Sequence, residues 1–243
     1  TAARTPTDSC ALVYGLLLST AETPRAAQLE ALQAREAPAV NALRAALQPA
    51  INALPPHVRL PLAGLTMPAL RQLAPAALRE FRDTAQALIE ADSEIDLFEY
   101  ALQRMFKRHL APVTRQDRQT LRLAASLTDV LPAAVDLLST LAYFGHDDPA
   151  AAESAFARGF AKLQCGLHRT PRPAAECGLD LADRSLSQLE HAAPLVKQRV
   201  LEACTAIVSA DGSLALEEAE LLRAVADSLG FPVPPLIPDA TTP

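Results

Sequence analysis

Apolar residues recur at helical intervals between prolines, and this pattern narrows the folds open to the chain. The clearest stretch runs from Pro38 to the Pro55-Pro56 pair, with apolar positions at Val40, Leu43, Leu47, Ile51 and Leu54. Spacings of three and four residues place these side chains on one face of an α-helix. Proline is tolerated at the first position of a helix but disrupts its interior, so prolines are expected to mark helix boundaries.

Composition favours helix over strand throughout. Half of the 243 residues are hydrophobic, and most of these are alanine and leucine, which favour helices. Aromatic residues make up only 4% of the chain, so the types that favour strands are sparse. Eight glycines are too few for a turn-rich β fold, whereas 20 prolines suffice to separate many helices. We therefore predict an all-α fold.

The predicted helices cover most of the sequence. Their ranges are 10–19, 24–35, 38–54, 75–91, 96–109, 116–127, 132–144, 149–164, 185–191, 194–210 and 216–229, with short helices or turns between 60 and 74. Asp8 or Ser9 is expected to cap the first helix. Gly230 is expected to end the last helix in the left-handed conformation.

Charge is acidic overall and unevenly distributed. A net charge of −6 argues against nucleic acid as a partner, because binding to phosphates requires a basic surface. One basic stretch stands out, since Arg115, Arg118 and Arg122 follow the i, i+3, i+7 spacing of one helix face. A solvated face is the ordinary interpretation of such a pattern, and a partner-binding face is the alternative.

Cysteine content and hydropathy indicate a reducing, aqueous setting. The four cysteines form no CxxC pair and are too few for a disulfide scaffold, so at least two are expected to be buried thiols. No uninterrupted apolar run reaches the ~20 residues that span a bilayer. We therefore expect a cytoplasmic chain. Its opening residues, TAARTPTDS, resemble a linker, so a fragment of a longer protein is expected.

One segment of the chain occurs twice. AQALIEADSEIDLFEYALQRMFKRHL begins at Ala85, and CTAIVSADGSLALEEAELLRAVADSL begins at Cys204, with no gap between the two when they are aligned. Identical positions include Asp92/Asp211, Glu99/Glu218 and Arg104/Arg223. Each copy predicts a helix, a tight turn after Ala-Asp, and a second helix with glutamate in its first turn.

The physics of each turn is local. Gly212 in the second copy, and Ser93 in the first, let the chain leave the first helix, and glycine does this most easily where φ is positive. Ile95 and Leu214 are expected to insert into the core. Asp96 and Glu99 predict a capping box. Ala215 occupies the equivalent cap position in the second copy and cannot cap with its side chain.

These paired motifs, ADSEIDLFE and ADGSLALEE, resemble those of the TerB-like fold of tellurite-resistance proteins. The resemblance implies a compact all-helical domain over residues 57–237, built from two helix–turn–helix halves. Residues 1–56 would be a linker with an N-terminal helical extension, and residues 238–243 a disordered tail.

A narrower resemblance involves LIEADSEIDLFEYAL and the ending VSADGSLALEEAELLRAVADSLGFPVPPL. These segments are similar to the C-terminal extension of HtpX-like membrane-bound zinc metallopeptidases. The zinc of such enzymes is held by HExxH, and none of the five histidines here has that spacing. The resemblance therefore implies zinc only in an upstream catalytic domain. It also makes an anionic membrane surface a candidate partner for the face formed by Arg115, Arg118 and Arg122.

Acidic residues gather at the two turns, which makes them candidate cation sites. The residues are Asp92, Asp96, Glu99, Asp211, Glu217 and Glu218. Helix capping is the structural interpretation. The resemblance implies the alternative, an acidic surface that can take a hard cation such as calcium. Neither turn is an EF-hand. In the first turn, Leu97 stands where the calcium loop requires glycine and Gln103 where it requires a bidentate glutamate.

Two further groups of residues are weaker metal candidates. His146-Asp147-Asp148 can be a metal site or a turn in which Asp148 begins the next helix. Cys165, His168 and Cys177 share one predicted loop, with His191 as a distant fourth zinc ligand. No GxSxG, P-loop or GxGxxG motif occurs, so no catalytic site is predicted.

Three functions follow from these observations. The favoured one is a non-catalytic accessory domain of an HtpX-like peptidase, which binds the peptidase domain, a substrate segment or a partner. The second is a stand-alone TerB-like stress-response protein that binds a divalent cation at the acidic turns. The third is a generic helical scaffold.

Overall fold

A computed structural model describes residues 5–91, 96–110, 126–210, 212 and 215–231. Throughout these residues the regular structure is helical and no strand is present, which confirms the predicted all-α fold. The chain divides into two compact units, residues 1–111 and residues 112–243. The predicted domain boundary after residue 56 falls inside the first unit.

The helices of the first unit are α1 (Pro6–Leu17), α2 (Glu22–Arg35), α3 (Pro38–Asn52), α4 (Pro56–Gly64), α5 (Met67–Leu70), α6 (Pro75–Glu90) and α7 (Leu97–His109). Those of the second unit are α8 (Leu127–Gly145), α9 (Pro149–Lys162), α10 (Leu179–Leu189), α11 (Pro194–Val208) and α12 (Leu216–Leu229), with one 3-10 turn at Ala174–Glu176. Six of these helices begin at a proline, as the sequence pattern predicts.

Helix α1 is the centre of the first unit. Every residue from Ser9 to Leu17 is buried, and α1 contacts α3, α4, α5 and α6. Three aromatic rings join it to the later helices: the centroid of Tyr14 lies 5.5 Å from that of Phe81, which lies 5.4 Å from that of Phe106 in an edge-to-face arrangement. This geometry is favourable for aromatic pairs and fixes α6 and α7 against α1.

The carbonyl end of α1 is closed by side chains from neighbouring helices. The last carbonyls of a helix have no partner within the helix and must find one elsewhere. Gln28 Nε2 donates to the Leu17 carbonyl at 3.0 Å, Gln48 Nε2 donates to the Gly15 carbonyl at 3.2 Å, and Arg59 donates to the Leu16 carbonyl. These bonds allow an apolar helix to end inside the unit without unpaired carbonyls.

Helix α8 has the same central position in the second unit. It contacts α9, α10, α11, α12 and the 3-10 turn, and Leu137 and Leu138 are fully buried. Within the described part of the chain, α8 is also long and apolar enough to cross a membrane, judged by length and composition only. More than half of that stretch is buried inside the unit, and the core helix of a soluble protein passes the same test.

Two predicted helix starts are wrong because a cap was misplaced. Helix α1 begins at Pro6, not Cys10, and Thr5 caps it by accepting from the Asp8 amide at 3.1 Å. Helix α8 begins at Leu127, not Pro132, because Ser126 and Asp129 form a capping box ahead of the proline. Pro132 therefore lies inside the helix, where it supplies no amide donor.

A third helix is longer than predicted. Helix α10 begins at Leu179, six residues before the predicted start at Ser185. Leu179, Ala182, Leu186 and Leu189 recur at helical intervals, and the last three are fully buried. Charged residues lie between these positions and make the helical spacing of the apolar residues less evident in the sequence. Helix α12 has the predicted bounds, and Gly230 follows it with φ of 93°, as expected. Of the predicted helix at 116–127, only residues 126 and 127 are among the described residues. The predicted tail at 238–243 lies outside them.

Candidate functional site

The two copies of the repeat form two helical pairs, one in each unit. The first copy corresponds to α6 and α7, and the second to α11 and α12. The second helix of each pair begins at an equivalent position, Leu97 in one and Leu216 in the other. We call the turn before Leu97 the first corner and the turn before Leu216 the second corner.

Equivalent positions of the two pairs are buried to the same degree. Leu88 and Ile207 have no exposed surface, and the exposed fractions of Ile89 and Val208 are 1% and 2%. The glutamates at the third position of the second helices are also buried, with exposures of 7% for Glu99 and 6% for Glu218. The repeat therefore extends to a buried carboxylate at the same place in each pair.

At the first corner, the predicted capping box is present. Asp96 Oδ1 accepts from the Glu99 amide at 2.7 Å, and Glu99 Oε2 accepts from the Asp96 amide at 3.2 Å. These bonds pair two amides that the start of a helix leaves open. Both predicted site residues that are described at this corner therefore act as helix caps. Asp92, Ser93 and Ile95 lie outside the described residues.

At the second corner, half of the box remains. Ala215 cannot cap with its side chain, as predicted, but Glu218 Oε2 accepts from the Ala215 amide at 2.9 Å. Gly212 has φ of 82°, which confirms the predicted left-handed conformation. Glu217 is exposed. Asp211 and Leu214 lie outside the described residues, so the calcium site proposed for these corners stays a prediction.

Two residues that sequence analysis missed contact the second pair. A Cβ at Gly145, the last residue of α8, would overlap the carboxylate of Glu218. Arg158 on α9 donates from Nη1 to the Ala210 carbonyl at 2.6 Å. The positive charge of Arg158 therefore lies against the backbone of the residue before Asp211. Neither contact has a local sequence signal, because each joins residues more than 50 positions apart.

The weaker metal candidates have structural contacts instead. Asp148 accepts from the Ala151 amide at 3.2 Å and so caps α9, and a ring nitrogen of His146 lies 3.1 Å from the Ala142 carbonyl. A ring nitrogen of His191 lies 3.0 Å from the Ser187 carbonyl. Among the described residues, no group of three histidine, cysteine or acidic side chains could hold a metal ion.

All four cysteines are free thiols. Cys10 and Cys204 are buried, as expected for at least two of them, whereas Cys165 and Cys177 are partly exposed. Burial raises the pKa of Cys10 to about 12, and it also raises the pKa of Cys204. Because the thiolate is the reactive form, these two thiols are inert core residues at neutral pH.

The predicted arginine face cannot be placed. Arg115, Arg118 and Arg122 lie in the segment 111–125, outside the described residues. Their role as a partner-binding face therefore stays a prediction from the sequence.

Comparison with known proteins identifies one part of the chain. The family model described as "Tellurite resistance protein TerB" matches residues 179–235. This range begins at the first residue of α10 and contains all of α11 and α12, including the second corner. The first copy of the repeat lies outside it. Neither a curated protein nor a solved structure matches the chain. A TerB domain is therefore found at residues 179–235.

Proposed function

We propose that this chain is the non-catalytic accessory region of a membrane-bound, HtpX-like zinc metallopeptidase. In this proposal the chain lies on the cytoplasmic side and binds the peptidase domain or its protein substrate. Zinc belongs to the catalytic domain alone. The observation that carries the proposal is the TerB domain at residues 179–235, together with a second pair of helices of the same pattern in the other unit.

Three of the four described carboxylates at the corners support a binding role over a metal-centred one. Asp96, Glu99 and Glu218 each accept a hydrogen bond from a helix-terminal amide. A carboxylate used in this way stabilises the start of its helix and is less available to a cation. These acids therefore support rigid helical pairs whose outer surfaces are left for a protein partner.

A binding measurement tests this proposal. The reading frame that encodes the chain should also encode HExxH and apolar segments of about 20 residues. The catalytic domain with its zinc site is then purified separately and titrated with the chain by calorimetry. We expect saturable binding. As a control, the catalytic domain is unfolded by heat and titrated in the same way.

Two results would contradict the proposal. One is a reading frame without HExxH, because the parent would then not be a peptidase of this type. The other is the absence of binding both to the catalytic domain and to a protein substrate of the parent.

A further inference from the structure

The carbonyl end of α7 is held by a side chain from another part of the first unit. Arg71, the residue that follows α5, donates from Nε to the His109 carbonyl at 2.9 Å. Its Nη2 lies 2.7 Å from Nδ1 of the His109 ring. His109 is the last residue of α7, and the first unit ends at residue 111. One guanidinium group therefore ties the end of α7 to the end of α5, close to the boundary of the unit.

This contact specifies the protonation state of the His109 ring. A guanidinium group carries donors only, so Nδ1 must accept from Arg71, and a ring nitrogen accepts only when it carries no proton. The neutral ring then has its single proton on Nε2. A second proton would occupy Nδ1, remove the acceptor of Arg71 Nη2 and place two positive charges side by side.

Two other histidines have the opposite arrangement. Nδ1 of His146 lies 3.1 Å from the Ala142 carbonyl. Nδ1 of His191 lies 3.0 Å from the Ser187 carbonyl. A carbonyl only accepts, so Nδ1 carries the proton in both rings and a second proton is added at Nε2. Both contacts survive that addition, and a positive ring at the carbonyl end of a helix is favourable. Acid therefore acts differently on the contact of His109.

The charges closest to the His109 ring are positive. Arg71 brings a full charge to hydrogen-bond distance, and Lys107 and Arg108 lie in the same last turn of α7. The carbonyl end of a helix offers roughly half a negative charge, which is less than the charge of Arg71 alone. Repulsion from Arg71 therefore exceeds the attraction of the helix end for a positive ring.

The helices packed against α7 also carry charged and titratable groups. Helix α4 contributes His57 and Arg59, and the Arg59 guanidinium lies over the ring of Phe98, at the opposite end of α7. Helix α6 packs through Phe81 on Phe106, and it carries two arginines and two acids around Phe81 that are exposed and balance one another in charge: Arg79, Glu80, Arg82 and Asp83. Neither helix supplies a surplus of negative charge that would offset Arg71.

We propose that Arg71 and His109 form an acid-sensitive latch whose ligand is the proton. With the ring neutral, His109 accepts from Arg71 and the end of α7 is tied to α5. Histidine gains a proton between about pH 8 and pH 5, and over that range the ring loses its acceptor and repels the guanidinium group, so the latch opens. The contacts of His146 and His191 remain. The proposal does not depend on the peptidase function proposed above.

Nuclear magnetic resonance of the isotope-labelled full chain tests the latch. Above about pH 8, where histidine is neutral, we expect the ring proton of His109 on Nε2 and those of His146 and His191 on Nδ1. During acid titration, the Arg71 Nε–H resonance should shift with the same midpoint as the His109 ring. His109→Gln should abolish that shift, because glutamine takes up no proton. His57→Gln is the matched control in the same unit and should retain it.

Two results would overturn the proposal. One is a neutral His109 ring with its proton on Nδ1, because Arg71 would then have no acceptor there. This position is measured on the wild type, so it decides the question even where a variant fails to fold. The other is an Arg71 resonance that shifts equally with pH in the wild type and in His109→Gln, with circular dichroism verifying that both are folded.

Discussion

Gln28 makes three hydrogen bonds from a position with no exposed surface. Its Nε2 donates to the Leu17 carbonyl on α1 and, at 2.8 Å, to the Leu88 carbonyl on α6. Its Oε1 accepts from the Ser19 amide at 2.7 Å. One side chain on α2 therefore pairs backbone groups from three other parts of the first unit. Buried polar groups of this kind are costly to leave unpaired.

Gln28→Ala should destabilise the first unit strongly. The substitution leaves two carbonyls and one amide without a partner in a buried place, and each costs about 1–3 kcal/mol. We expect a loss of roughly 3 kcal/mol or more in the free energy of unfolding, measured by urea denaturation. Gln33→Ala is the matched control, because Gln33 is exposed on the same helix. Equal, small losses for both variants would show that the Gln28 bonds are not important.

Some structural features of the elements depend on residues within one helical turn, and others depend on packing between distant residues. The capping box of Asp96 and Glu99 and the bounds of α12 could be predicted, because each depends on residues within one turn. The start of α8 does not follow from the proline pattern, because Pro132 lies five residues inside the helix and a capping box precedes it. The contacts of Gln28 and Arg158 could not be predicted, since packing alone brings their partners close.

The contact between Gly145 and Glu218 predicts a coupled pair of substitutions. Gly145→Ala should displace the buried carboxylate of Glu218 from the Ala215 amide and cost about 1 kcal/mol, comparable to the loss of a helix cap. In a Glu218→Ala background the same substitution should cost almost nothing. Gly178→Ala is the control, because a Cβ there meets no atom. A double-mutant cycle by chemical denaturation measures the coupling, and additive costs would contradict the proposed contact.

The corners predict a small response to metal ions. Three of the four described acids are engaged as caps, whereas Glu217 is exposed. Arg158 already places a positive charge beside the second corner. We therefore expect the melting temperature measured with EDTA to equal the melting temperature measured with calcium, magnesium or zinc and no EDTA. A bound ion at about 100 times its dissociation constant would add ~2.7 kcal/mol and be readily seen. A rise with calcium that Asp92→Ala or Asp211→Ala abolishes would instead establish the cation site.

For the whole molecule, the second unit extends beyond the TerB match. Helices α10, α11 and α12 lie within the matched residues 179–235, yet all three contact α8, which lies before them. The buried apolar side chains of α8 include Val130, Leu131, Leu137, Leu138 and Leu141. Their burial contributes roughly 8–15 kcal/mol, which is comparable to the 5–15 kcal/mol that holds a typical domain folded.

A fragment of residues 179–235 should consequently fail to fold, whereas a fragment of residues 126–235 should fold with a cooperative thermal transition. Circular dichroism and the dispersion of amide resonances distinguish the two states. The residue 5–111 fragment serves as a control for the first unit and should also fold. A cooperative transition in the shorter fragment would show that α8 is dispensable for the TerB domain.

In the function proposed above, this chain serves a peptidase without catalysing proteolysis itself. The most direct measurement compares proteolysis by the full-length parent with proteolysis by a form lacking residues 1–243, on a short unstructured peptide and on a folded protein substrate. The account predicts that the deletion leaves cleavage of the peptide unchanged and slows cleavage of the protein at least about tenfold, since only the protein needs the accessory surface. Equal rates on both substrates would contradict the account, and so would loss of cleavage of the peptide.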